Sequence, residues 1–139
     1  MRLVVDTNLL ISALLSANSL PAHLVVLWRE GWFDLLTSAD QLDELIRVTR
    51  YPKIRNRLAP ALAGRLINEI RDIAVVVHDL PVVTLSPDPF DNHLLATAAR
   101  GAADFLITGD KQHILAIGRY EGTRILTVRD FLLQHRRLP

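Results

Sequence analysis

The order of apolar and polar positions divides the chain into short, fully apolar runs and longer stretches with helical spacing. Leu3-Val4-Val5 is apolar without alternation and stops at Asp6, the pattern of a strand covered on both faces. Phe33 to Leu36, Phe105-Leu106-Ile107 and Ile125-Leu126 repeat it. Between these runs the spacing turns helical. Leu9 to Leu15 suits a helix. A second opens at Leu20-Pro21, with Pro21 in a first-turn position and Leu24, Leu27 and Trp28 on its apolar face, and ends at Gly31. Ser38 and Gln41 fit a capping box for a helix through Leu42, Leu45, Ile46 and Thr49, which Pro52 stops. Pro60 to about Ile73 is again helical, with Leu62, Leu66, Ile70 and Ile73 on one side. Ala74 to Val77 either extends that helix or forms a short strand, and its β-branched run favours the strand. Asp88-Pro89-Phe90-Asp91 opens a helix containing Ala96, Ala98 and Ala99, closed by Gly101. A short helix carries Ile114 and Leu115, and a final one begins at Asp130 to Gln134.

Short apolar strands alternating with helices predict an α/β fold, with a central parallel sheet flanked by helices on both faces. Right-handed crossovers then constrain its topology. The 139 residues show no repeat, low-complexity tract or linker, so 1–139 reads as one domain.

In such a sheet, ligands bind outside the carboxyl ends of the strands. Asp6 stands there directly after Leu3-Val4-Val5, and Asp110 follows Phe105-Leu106-Ile107 after two residues, Thr108 and Gly109. If those strands are neighbours, the two carboxylates share one crevice. Two more acids open or line helices that face the same edge. Asp91 lies in the first turn of the alanine-rich helix, and Glu44 lies in the helix after Thr37-Ser38. Four carboxylates at close range repel one another. A hard divalent cation such as Mg²⁺ or Mn²⁺ relieves that repulsion, because it prefers oxygen ligands. Each acid also has a plainer use. Asp6 and Asp110 suit helix caps, Asp91 suits the positive end of a helix, and Glu44 suits a surface pair with Arg47.

Composition adds less. Net charge is +1, so attraction for phosphate must come from local clustering. The absence of cysteine removes disulfides, zinc–thiolate sites and cysteine nucleophiles, and fits a reducing cytoplasm. The apolar runs fall far short of the roughly 18 residues needed to span a bilayer, so no membrane association is expected. Asp6 interrupts the apolar stretch behind Arg2, and no secretory leader is expected.

The motifs themselves resemble a known family. Val4-Val5-Asp6-Thr7-Asn8-Leu9-Leu10-Ile11-Ser12-Ala13 looks like the opening motif of PIN domains. Glu44-Leu45 looks like the second acidic position, for which Asp40 and Asp43 compete on the same helix. Asp91-Asn92-His93-Leu94-Leu95-Ala96-Thr97-Ala98 resembles the third, and Ala103-Asp104-Phe105-Leu106-Ile107-Thr108-Gly109-Asp110-Lys111 the last. They occur in the family's order along the whole chain, and the Thr-Gly-Asp-Lys detail is similar to a bacterial branch related to VapC-type toxins. The resemblance implies a metal-dependent endoribonuclease with Asp6, Glu44, Asp91 and Asp110 as catalytic and metal-binding residues. It further implies Mg²⁺ or Mn²⁺ as cofactor and RNA as substrate. A small antitoxin partner and a homodimer are expected on the same ground.

Around the acids, Thr7, Asn8, Ser12, Asn92 and Thr108 suit water-holding or carboxylate-orienting roles, Asn8 and Thr108 foremost. The segment Arg47, Arg50, Lys53, Arg55, Arg57 contains no acid and suits an RNA backbone, or else a solvated face. Tyr51 within it could stack on a base. Arg136 and Arg137 read as a solvated tail. His93 and His113 lie near motif acids but read as non-ligands, and Trp28 and Trp32 as core or partner interface. Three other functions fit the same fold class less well. A dehalogenase-type phosphatase needs a second Asp where Asn8 stands, and a phospho-acceptor domain needs an acidic pair where Asp6-Thr7 stands. A catalytically silent PIN fold is argued against by its four retained acids.

Overall fold

The computed structural model describes residues 1–109 and 112–139. Asp110 and Lys111, which include one of the four acids singled out above, lie outside the described residues. Among the described residues the chain forms eight helices and six strands, the strands joined in one sheet of order β3-β2-β1-β4-β6-β5. The strands are β1 (Arg2–Val5), β2 (Asp34–Thr37), β3 (Val75–Val76), β4 (Phe105–Thr108), β5 (Arg119–Tyr120) and β6 (Thr123–Thr127). The helices are α1 (Thr7–Leu15), α2 (Leu20–Arg29), α3 (Ala39–Thr49), α4 (Pro52–Arg55), α5 (Pro60–Ile73), α6 (Pro89–Arg100), α7 (Gln112–Leu115) and α8 (Val128–Gln134). The central pairings are parallel, as expected, and only β5 with β6, at one margin, is antiparallel.

The apolar runs predicted to be covered on both faces are so covered. Leu3, Val5, Leu35 and Ile107 join the core beneath α1, α2, α3, α5 and α8. Val4, Leu36, Leu106 and Ile125 point the other way, under α6 and α7. This is the period of two that a strand imposes, with apolar side chains required at every position because both faces are dry. The run at Ala74 to Val77 resolves into the strand β3. Among the described residues no single helix is long and apolar enough to cross a membrane.

Several local readings change. On α5 the buried face is Ala63, Leu66, Ile67 and Ile70, while Leu62 and Ile73 are exposed. The stripe that α5 buries, mainly against α3, is rotated from the one read in the sequence. α4 and β5 were not anticipated, being four and two residues long. Gly31 ends α2 as expected, with a φ of 85° that favours glycine. Gly101 does not act that way. Its φ is −85°, and Ala102 takes the left-handed turn instead. Gly101 is required for space, since a Cβ there would meet Leu36 Cδ1 at 2.8 Å and Val77 Cγ2 at 3.0 Å. Arg137 is no solvated tail. Its guanidinium lies 3.4 Å from the centroid of the Trp32 ring, and its carbonyl is bonded to His23 Nε2 at 2.7 Å. Arg29 forms two 2.8 Å hydrogen bonds to Glu69, joining α2 to α5. That bonding raises the Arg29 pKa against the opposing effect of burial.

The chain direction fixes where helices begin. α1 and α3 follow β1 and β2, so their N-termini stand at the carboxyl edge of the sheet. α6 precedes β4, and the Gly101 carbonyl at its end accepts from Arg2 Nη1 at the start of β1. Its N-terminus therefore also stands at the carboxyl edge. Strand order reverses between β1 and β4, and that is where a crevice opens in such sheets.

Candidate active site at the carboxyl edge of the sheet

Asp6 is held where the first apolar run ends. Its backbone N–H still belongs to the sheet, donating to the Ile107 carbonyl at 2.8 Å. Its side chain then caps α1, Oδ1 accepting from Asn8 N at 3.1 Å. Thr108, the last residue of β4, donates its hydroxyl to Asp6 Oδ2 at 2.9 Å. The capping use and the functional position are therefore one arrangement, since a carboxylate offers about four acceptor sites and these two donors set its plane. Asp6 is 2% exposed. Thr108 orients it as the sequence suggests. Asn8 does so through its backbone N–H, and its own side chain is exposed.

Glu44 reaches this corner through a short relay. Ser38 caps α3 by accepting from Gln41 N at 3.2 Å. The predicted capping box stops there, because the Gln41 side chain does not turn back to Ser38. It crosses to β1 and donates from Nε2 to the Val5 carbonyl at 2.7 Å. Its Oε1 accepts from Thr37 Oγ1 at 2.7 Å. A carbonyl can only accept, so this contact fixes which end of the amide faces β1. The same Nε2 lies 3.4 Å from Thr7 Oγ1 as donor. The Thr7 hydroxyl then donates a hydrogen bond to Glu44 Oε1. Glu44 is thus aimed at the residue next to Asp6, and it does not form the surface pair with Arg47 that its spacing allowed. Asp40 turns elsewhere, its carboxylate 4.0 Å from His93 Nδ1, and Asp43 is exposed.

Asp91 sits in the first turn of α6 and is 2% exposed. Ser86, itself buried, donates to Asp91 Oδ2 at 3.0 Å. Ser86 is in turn clamped by the Asn92 side chain, which accepts from Ser86 N and donates to Ser86 O, both at 2.9 Å. Nothing in the sequence pattern singled out Ser86 or the cross-sheet role of Gln41, since both act across loops or between elements. The first turn of α6 stands against α3, with the Arg47 guanidinium 5.0 Å from the Phe90 ring centroid. Arg47 Nε also meets the Tyr51 hydroxyl at 3.3 Å. Arg50 and Arg55 line a different cleft, between α3, α4 and α5, while Lys53 is exposed on α4.

The chemistry of this corner is all oxygen: carboxylates oriented by hydroxyl and amide donors. That donor set suits a hard divalent cation. Among the described residues, however, no three acids or histidines converge at metal-binding spacing. The structure joins Asp6 and Glu44 through Thr7 and brings Asp91 to the same edge of the sheet.

Comparison with curated proteins gives no match. Comparison with protein families matches residues 2–112 to the PIN domain. PIN domains are generally nucleases that use divalent metals and bind RNA. The matched segment takes in Asp6, Glu44 and Asp91 and spans most of the chain, and the protein belongs to the PIN-domain family.

Proposed function

We propose that this chain is a metal-dependent endoribonuclease, and the toxin of a toxin–antitoxin pair. The observation that supports it most is Asp6, a buried carboxylate fixed by Thr108 and by its own helix at the β1–β4 switch point. Asp6, Glu44, Asp91 and Asp110 are the residues that would hold Mg²⁺ or Mn²⁺. When bound, such a cation neutralises charge on a phosphodiester and makes water easier to deprotonate. The protein's part is orientation. Thr108 and the Asn8 N–H hold the plane of Asp6, the Gln41–Thr7 relay directs Glu44, and Ser86 directs Asp91. Preset carboxylates do not need to reorganise as charge develops, which is the main economy of a built site. The oxygen of a water molecule bonds to phosphorus and gives up a proton, the P–O bond to the leaving ribose breaks, and the leaving oxygen takes up a proton. The antitoxin and the homodimer are carried by the family resemblance, and a cytoplasmic location by the absence of cysteine.

Incubation with mixed RNAs in Mg²⁺, in Mn²⁺ and in EDTA tests this reading. Cleavage is expected with either metal and lost in EDTA. Intact RNA in both metals would favour a silent PIN fold. A second measurement does not depend on turnover. Mg²⁺ should raise the melting temperature of the protein, since a ligand at a hundredfold excess over Kd adds about 2.7 kcal/mol. The rise should shrink in Asp91→Asn, and equal shifts in both proteins would remove Asp91 from the metal set.

RNA approach to the acids is expected over Arg47, Tyr51 and Phe90, which flank the α6 turn. Arg47→Ala should weaken RNA binding and reduce the slope of log affinity against log salt by about one. A slope equal to that of the wild type would make Arg47 only a cover for Phe90.

A further inference from the structure

The basic segment after Glu44 does not form one surface. Arg47 leans toward α6, whereas Arg50 and Arg55 join Arg71 around a cleft of about 360 Å³ between α3, α4 and α5. The cleft's α3 wall is Ile46 and Thr49. Ile46 is two positions on from Glu44, about 200° around the helix, so this wall lies on the flank of α3 turned away from the carboxylate corner. Apolar side chains of Ile46, Ala63 and Ile67 line it together with the three guanidiniums. No carboxylate is among the described residues that line it, and the only side-chain bond described for these three arginines is from Arg71 Nη1 to Asn68 Oδ1 at 3.3 Å.

Gly64 supplies a second, independent observation. It lies inside α5, where glycine weakens a helix relative to almost any other residue. Its φ requires no glycine, and a Cβ built on it meets nothing within 4 Å. Neither backbone conformation nor close packing accounts for it. What it does is leave the cleft open along the α5 face formed by Pro60, Gly64 and Arg71.

We propose that this cleft binds an acidic, amphipathic peptide segment of a protein partner. The guanidiniums suit carboxylates, which they grip in a planar fork. The apolar lining suits aliphatic or aromatic side chains between those carboxylates, the helix-in-groove or short-segment mode of recognition. An RNA backbone would satisfy the arginines but has no apolar counterpart for Ile46, Ala63 and Ile67. The site is separate from the nuclease reading and stands whether or not the chain cleaves RNA.

The test uses the full chain and a displayed library of random short peptides. Sequences enriched on the wild type should interleave Asp or Glu with apolar residues. A labelled synthetic peptide of the enriched sequence should lose at least about tenfold in affinity to the double variant Arg50→Glu/Arg55→Glu. It should lose as much to Gly64→Leu, which fills the cleft while favouring the helix, so that its melting temperature should not fall below that of the wild type. Arg50→Lys/Arg55→Lys should retain part of the binding. Polyuridylate affinity should change by less than about twofold in Gly64→Leu, which leaves every charge in place. Enriched peptides without acids, or equal binding to the wild type and both variants, overturn the proposal. A fall in polyuridylate affinity in Gly64→Leu as large as the fall for the peptide assigns the cleft to RNA instead. A change of sedimentation mass in Gly64→Leu assigns it to a second copy of this chain.

Discussion

Asp6→Asn is expected to fold like the wild type and to lose metal-dependent RNA cleavage by about a thousandfold or more. The asparagine keeps one oxygen to accept from Asn8 N, so it keeps the cap on α1, while its amide nitrogen takes the place of Oδ2 and can donate to the Thr108 hydroxyl. It removes the negative charge from a position only 2% exposed, where no solvent can substitute for it. Asp6→Ala removes both functions and should add about 1 kcal/mol of lost capping to the same loss of activity. Circular dichroism melts separate the two effects, and initial rates on RNA in Mg²⁺ measure the chemistry. Asn-variant rates near those of the wild type would show that Asp6 is only a helix cap.

Gln41→Leu is the substitution expected to damage stability and activity together. Leucine fills a similar volume, but it leaves the Val5 carbonyl and the Thr37 hydroxyl without the amide that now meets both at 2.7 Å. The side chain is buried, so the vacated partners are shielded from water. The combined cost is about 3 kcal/mol, which lowers Tm by roughly 10 °C for a domain of this length. Below that transition the rate of RNA cleavage should still be down about tenfold, because the Thr7 hydroxyl loses the donor that sends its proton toward Glu44. Thermal melts and rates taken well below both transitions check the two parts. A Leu variant melting within about a degree of the wild type would mean that the amide holds nothing together.

The parts of this molecule legible in its sequence are those where the cause is local. Leu3-Val4-Val5 announces a buried strand because no position along it tolerates a polar side chain, and Asp6 announces its end. Ser38 caps α3 through the residue three positions on, well inside the window a sequence pattern covers. The same window does not contain the contact from Gln41 to Val5, 36 positions earlier, and so a side chain read as half of a cap turned out to brace two elements. On α5 the chain supplies apolar residues over a broad arc. Which of them face inward depends on how α2 and α3 close over the sheet, and this exposes Leu62 and Ile73 and buries Ala63 and Ile67. Gly101 looked like a helix stop, and its reason lies in Leu36 and Val77, from two other strands' neighbourhoods. The acid at 110 remains a sequence assignment, while Asp6, Glu44 and Asp91 each have a structural holder.

The two outermost strands of the sheet, β3 and β5, are two residues long. A longer outer strand would present a row of unpaired amides and carbonyls to any other extended chain in the cell, the route by which sheets fuse into aggregates or larger assemblies. Here each margin presents almost no such row, and on one side the final strand turns back antiparallel on its neighbour through Glu121, whose φ is 53°. Growth by strand addition is therefore disfavoured at both ends. Any symmetric pairing of this protein must be made by the side chains of its helices and loops, which makes it sensitive to surface substitutions and open to control by a competing partner.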